Sequence, residues 1–397
     1  MTTQFSKKQT ILLLLTIFAV AINMRPAITS IGPMLDTIRD DLALTNAQVS
    51  LLTALPVFCM GLFASLAPVL NRKIGLTWSM LLMLIIIGGM TVLRGFYSTF
   101  AALLVSAILI GIGIAVIGPL LSAMIKQFFP DRATSVIGVY TFGMGAGATL
   151  GAGLTAVFFK WTGSYPFALG IWALLVLLGI FFCAISLRGN VRLKQRETPA
   201  ASSAARISPW KQKKAWLFLV FFGLQASSFF CVITWVVPIA TDSGMSLVAA
   251  SGVLSLMTGI QIVLNLIFPI VYERIPKRKL WLLFFLTMGL ISIGLLSTGN
   301  WTLMWISAIF MSLPLAGLFP ITLLFPLDAT ETAEDTNAWT AMMQTGGYIM
   351  AGFVPLIIAL VYDVTGNHAY TLWIFAALFI CMIVLTFLVG EREQRVG

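Results

Sequence analysis

Arg25 stands inside the first long apolar segment, in the stretch Ile22-Asn23-Met24-Arg25-Pro26-Ala27-Ile28-Thr29-Ser30-Ile31-Gly32-Pro33. Counted from Lys8 it lies about 17 residues along a helix, ~25 Å at 1.5 Å per residue, in the outer half of a bilayer. A cation at that depth costs about 2.5–3.5 kcal/mol on insertion scales, so it faces a cavity or a partner unless it snorkels outward. Asn23 and Pro26 make the same helix polar and bent, which favours the cavity. A guanidinium is a planar fork of donors suited to a carboxylate or another small planar anion, while amides and aromatic tips set orientation. Other polar or amphipathic side chains fall inside apolar segments: Thr53, Tyr140, Gln225, Trp235, Gln261, Asn265, Gln344 and Tyr348. Amides also glue membrane helices together, at about 0.6 kcal/mol on average, and each amide here is open to that simpler role.

Arg25 reads as the one charge deep in any segment, with no deep Asp or Glu to pair it. Asp36, Asp40, Asp41, Asp242 and Asp363 fall at the outer face, where they meet Arg94 or solvent, and His368 falls in the outer loop after the eleventh segment. A proton-titrating carboxylate of the usual pump kind is absent from this reading, so proton antiport is unsupported. An integral-membrane enzyme needs a nucleophile with a base, a metal cluster or paired carboxylates at depth, and the pattern supplies none. No metal or cofactor is expected. Cys59, Cys183, Cys231 and Cys381 lie in apolar runs without C-x-x-C spacing and read as small buried apolar residues.

These side chains need helices in a bilayer to hold them. Of 397 residues, 59% are hydrophobic and 10% charged, and the mean hydropathy is +1.00; soluble globules carry about 25% charge. The chain is therefore a polytopic membrane protein. Its net charge of +10 sits in short connections rather than in a basic domain, which excludes nucleic-acid binding and reports topology. At about 20 apolar residues per span, twelve spans are expected, near 10–33, 47–70, 77–96, 100–125, 133–158, 166–187, 214–240, 247–272, 279–297, 301–326, 336–362 and 369–390. Twenty of the 24 basic residues then share a side with both termini, which makes that side cytoplasmic. Asp328, Glu331, Glu334 and Asp335 put acid on it too, but acids count little in that rule. Lys7, Lys8 and the apolar run ending Ala19-Val20-Ala21 mimic a cleavable signal; cleavage would leave an odd number of spans, so an uncleaved first span is expected.

The basic, small-residue-rich stretch Arg188 to Lys213 separates six spans from six, giving a bundle over 1–187, a cytoplasmic linker over 188–213 and a bundle over 214–397. Pro68-Val69-Leu70-Asn71-Arg72-Lys73 ends the second span as Pro269-Ile270-Val271-Tyr272-Glu273-Arg274 ends the eighth, and Pro119 and Pro320 each precede a Gly-rich span. Gly138, Gly143, Gly145, Gly147, Gly151 and Gly153 thin the fifth span on one face, letting helices approach closely.

Twelve spans, the six-plus-six division and the basic turns after spans two and eight resemble the major facilitator superfamily over essentially the whole chain. The resemblance implies an all-α integral membrane fold of two six-helix bundles, alternating access, and a cavity lined by spans that include one, two, five, seven, eight and eleven, where the candidates above lie. It also implies a cytoplasmic latch. Glu273, Arg274 and Arg278 match the family's acidic and basic loop signature, whereas the first-half copy, Arg72-Lys73, has Arg72 where the acid belongs, which puts that copy in doubt. Asn23-Met24-Arg25-Pro26, Leu51-Leu52-Thr53-Ala54-Leu55-Pro56 and Gln344-Thr345-Gly346-Gly347-Tyr348 are similar to the cyanate permease branch, which includes nitroimidazole transporters. That branch implies a small, planar, anionic or polar substrate, and a monomeric transporter of the bacterial inner membrane is expected. A multidrug efflux protein for neutral compounds and a non-transporting sensor of the same fold are the alternatives. The proline of the drug antiporters' Gly-Pro motif is missing from span five.

Overall fold

The computed structural model of the protein describes residues 6–44, 46–190 and 208–389. Most of the expected linker, residues 191–207, lies outside them, as do Arg392 and Arg395. Among the described residues the chain is helical, with no strand. The helices are α1 Lys7–Ile22, α2 Pro26–Thr29, α3 Leu35–Asp41, α4 Asn46–Phe63, α5 Leu66–Ile74, α6 Leu76–Phe96, α7 Phe100–Phe128 and α8 Ala133–Thr162. They continue with α9 Tyr165–Gly170, α10 Ala173–Asn190, α11 Lys213–Asp242, α12 Leu247–Arg274, α13 Arg278–Leu296, α14 Trp301–Ala329, α15 Ala333–Thr365 and α16 His368–Val389. Among the described residues eleven helical stretches are long and apolar enough to cross a membrane, and the bent pair α4 and α5 makes twelve. The protein is a multi-pass all-α membrane protein.

Start and stop signals in the sequence explain most boundaries. Thr99, Ser246, Asn300 and Thr332 cap α7, α12, α14 and α15, each accepting a backbone N–H of the first turn. Ser6 and Gln9 form a reciprocal capping box at α1. Gly75, at φ +83°, joins α5 directly to α6, a turn that a side chain would strain. Proline decides the interruptions. Pro68 lacks the N–H that the Ala64 carbonyl would take in a continuous helix, so Ala67 N bonds it instead at 3.1 Å, and the span bends by 63°. Its counterpart Pro269 lies in α12, which runs on unbroken.

The chain divides into two compact units. Unit 1 comprises residues 1–130 and 139–212; unit 2 comprises 131–138 and 213–397. The helix α8 thus begins in unit 2 and continues in unit 1. Within unit 1, α7 packs on α4 and α6, and α10 on α1 and α6; within unit 2, α11 packs on α15 and α16, and α14 on α12 and α13. Most of the cysteines behave as expected: Cys59, Cys183 and Cys231 are buried. Cys381 instead faces outward, exposed.

Candidate functional site

In unit 1 the first span breaks at Arg25, and the cause is local. Pro26 has no N–H for the carbonyl of Ile22, four residues back, and its ring excludes that carbonyl from a regular turn. The chain passes from α1 through turn residues Asn23 and Met24 to Arg25, then restarts as the four-residue α2. Three carbonyls around the break are satisfied or sheltered from outside the helix ladder. Asn23 Nδ2 donates to Ala19 O at 2.7 Å and to Leu175 O of α10 at 2.9 Å. The Ile22 carbonyl lies against Gly147 of α8, where a Cβ would collide with it. The Ala27 carbonyl has no helical donor, because Ile31 N turns to Ile28 O, and it accepts from an Arg94 terminal nitrogen. Gly143 and Gly151 fit the same surface, with a Cβ at 151 falling 2.8 Å from Pro26 Cα. Four of the six expected glycines thus make close approaches; the fourth, Gly138, abuts Pro269, whereas Gly153 faces open space.

Asn23 is therefore helix glue, with both amide protons engaged and 2% exposure. Arg25 is half-buried, and among the described residues no ion pair or side-chain hydrogen bond engages its guanidinium. It is not the one deep charge. Arg94 is 1% exposed, donates through Nε to Ser106 Oγ at 2.7 Å as well as to Ala27 O, and pairs with neither Asp40 nor Asp41. The sequence hides this because an Arg in the last turn of a span ordinarily snorkels. Those acids have other partners: Asp40 pairs with Arg39 at 3.1 Å, and Asp41 accepts from the Tyr165 hydroxyl at 2.8 Å. Thr53 is half-buried on α4, and Tyr140 is buried on α8 at 1% exposure.

Unit 2 divides its candidates among three places. Gln344 and Tyr348 stand one turn apart on α15, buried, with Tyr348 edge-on to Phe222 of α11 at 5.3 Å. Gln225 lies one turn beyond Phe222 at 3% exposure, and its Oε1 has no hydrogen-bond partner. Asn337 and Thr340, at 0% exposure, carry further unpartnered polar atoms on α15. Their spacing to Gln344 and Tyr348, one turn at a time, was a signal available in the sequence. Gln261 and Asn265 are one turn apart on α12, and Gln261 donates to Leu315 O of α14 at 3.1 Å. Trp235 stands ten residues past Gln225, ~15 Å along α11, packed at 5.8 Å against His368 and 6.1 Å against Tyr362. His368 is not a loop residue: it opens α16, is 8% exposed, stacks on Tyr362 at 4.1 Å and approaches Asp242 at 3.4 Å. Tyr362 also donates to Asp242 at 2.8 Å.

The loop charges resolve into different roles. Glu273 accepts from Ser135 N at 3.1 Å and from Ser135 Oγ, placing a carboxylate on the third residue of α8, where the open N–H groups and the positive end of the helix dipole favour it. Arg274, Arg72 and Lys73 are exposed. Arg278 is 2% exposed, paired with Asp328 of α14 and lying over the Phe325 ring at 5.2 Å, so it rivets α13 to α14. Asp328 thereby leaves the expected acidic loop, and Glu334 and Asp335 lie in the first turn of α15. No group of three His, Cys, Asp or Glu suited to a metal occurs among the described residues.

Comparison with known proteins agrees with this architecture. The chain is 29% identical over 395 residues to the uncharacterized transporter YycB of Bacillus subtilis (strain 168), covering 98% of this chain and 94% of that one. It is 28% identical over 380 residues to the cyanate transport protein CynX of Escherichia coli (strain K12), covering 94% and 95%. It is 26% identical over 399 residues to the 2-nitroimidazole transporter of Escherichia coli (strain K12), covering 99% and 98%. The solved proton:xylose symporter XylE bound to 6-bromo-6-deoxy-D-glucose superposes with a TM-score of 0.80 at 11% identity, covering 98% of this chain and 97% of that one. The cyanate and nitroimidazole resemblance read from three short motifs thus extends over nearly the full length, and the relatives are transporters, not enzymes. With residues 10–325 matching the family's sequence pattern, the chain belongs to the Major Facilitator Superfamily.

Proposed function

We propose that this transporter moves a small planar anion or strongly electronegative heterocycle, of the cyanate or nitroimidazole kind, and that Arg25 binds it. The observation carrying this reading is the half-buried Arg25 guanidinium, held at a broken helix and, among the described residues, without an acid to pair it. In this reading Asn23 and Gln261 hold helices together within their own units, and Gln225, Gln344 and Tyr348 are the buried polar groups of unit 2. Glu273 of α12, bonded to Ser135 of α8, serves as the latch, the termini face the cytoplasm and the protein works as a monomer. The relatives named for cyanate and 2-nitroimidazole supply the probes. Liposomes containing the full chain and preloaded with unlabelled cyanate or 2-nitroimidazole are expected to accumulate the labelled compound by counterflow. Binding without flux identifies a sensor; neither binding nor flux for both compounds overturns the substrate class.

Coupling follows from the same side chains. Among the described residues every Asp and Glu lies at or near a helix end, and His368 is the chain's one histidine. Between about pH 6 and 8 unperturbed carboxylates stay ionised and an imidazole titrates. Transport by a His368→Ala variant of a solute that does not titrate is expected to change little over that interval. Concentrative uptake by this variant under an imposed pH gradient would show a proton site elsewhere.

A further inference from the structure

We propose that Arg94 is a positioning residue for Arg25: through the Ala27 carbonyl it clamps the α1–α2 break and so fixes where the Arg25 guanidinium is presented. The inference deepens the anion reading above and rests on it. Arg94 reaches two elements at once, Ser106 Oγ of α7 and the carbonyl of Ala27, two residues beyond Arg25. If its task were only to join α6 to α7, a neutral side chain would serve, without the burden of a buried cation lacking a counter-charge. A charge-assisted bond to a carbonyl is stronger than a neutral one, and this carbonyl is one that the break leaves without a helical donor. Gly147 and Gly151 of α8 also lie against the break, at Ile22 O and Pro26. The short helix thus meets both a glycine surface and an arginine. Because no ion pair engages Arg94 among the described residues, it also adds to the positive field that an anion at Arg25 experiences.

Two readouts on the full-length protein separate positioning from simple packing. The first is hydrogen exchange at the amides of Ile28, Thr29, Ser30 and Ile31, whose bonds to Arg25 O, Pro26 O and Ile28 O define the restart. The second is cyanate affinity from ligand-dependent thermal shift. Arg94→Lys keeps the charge but loses the fork, so exchange at 28–31 is expected to speed up, and cyanate binding to weaken, each by about tenfold or more. Ser106→Ala leaves the Ala27 contact in place; it is expected to lower thermal stability with both readouts within about twofold of wild type. Unchanged exchange at 28–31 in Arg94→Lys overturns the clamp. Unchanged cyanate affinity in Arg94→Lys, with binding lost in Arg25→Ala, overturns the positioning role alone. Wild-type cyanate binding in Arg25→Ala instead overturns the anion reading, and the clamp then stands or falls on exchange, which needs no ligand. Arg94→Gln, easier to insert, is read by the same two measurements should the lysine variant not fold.

Discussion

Replacing Arg25 with lysine is expected to lower the affinity for cyanate or 2-nitroimidazole about tenfold or more, because hydrogen bonds to charged groups contribute roughly 1.5–3 kcal/mol and the ammonium loses the planar fork. Arg25→Ala is expected to abolish binding. The alanine variant should be no less stable without ligand, since a cation that costs about 2.5–3.5 kcal/mol to insert has gone and no ion pair is broken with it. Titration calorimetry of both variants, with thermal melts in the absence of ligand, measures the two effects separately. Normal binding by Arg25→Ala would make Arg25 a snorkelling surface residue. The site would then be rebuilt for a neutral solute around Gln225, Gln344 and Tyr348 in unit 2.

The second large effect belongs to a residue without a side chain. At Gly147 a Cβ would strike the Ile22 carbonyl, and Pro26 Cδ would lie 3.1 Å away, so backbone rather than a flexible side-chain tip has to move. Overpacking typically costs about 1–3 kcal/mol, and here the displaced segment carries Arg25. Gly147→Ala is therefore expected to lower the melting temperature by several degrees and to weaken anion binding together. Gly153→Ala is the matched control on the same helix. Open space surrounds that exposed position, and alanine is favoured over glycine in a helix interior by about 0.5–1 kcal/mol, so the control should be neutral or stabilising. Equal melting temperatures and affinities for the two variants would show that α8 does not hold the break.

Fold and family were legible because bilayers leave few options: runs of some 20 apolar residues must be helices, and proline and glycine punctuate them. The break at Arg25 and the glycine face of α8 were visible for the same reason, as local stereochemistry. What the sequence hid is pairing between distant positions. Asn23 looked like a ligand-binding amide, yet its donors point at Ala19 and Leu175 carbonyls, and nothing in the neighbouring letters marks Leu175 as a partner. Arg278 read as a member of the cytoplasmic latch, and nothing in the sequence marked Asp328 at the end of α14 as its partner. Arg94 and His368 both sit at the ends of spans, where a one-dimensional reading assigns water; tertiary packing buries them.

The Arg94 clamp also orders the assembly of unit 1. Its three members come from the first, third and fourth spans: Ala27, Arg94 and Ser106. As the chain emerges, the third span reaches the bilayer before the fourth has entered it, and a guanidinium at a helix end then rests at the headgroup level, where water solvates it. It is drawn inward once the fourth span covers it and the first offers its open carbonyl. The kink that presents Arg25, although encoded by Pro26 in the earliest segment made, thus reaches its finished form only after the fourth span has been inserted.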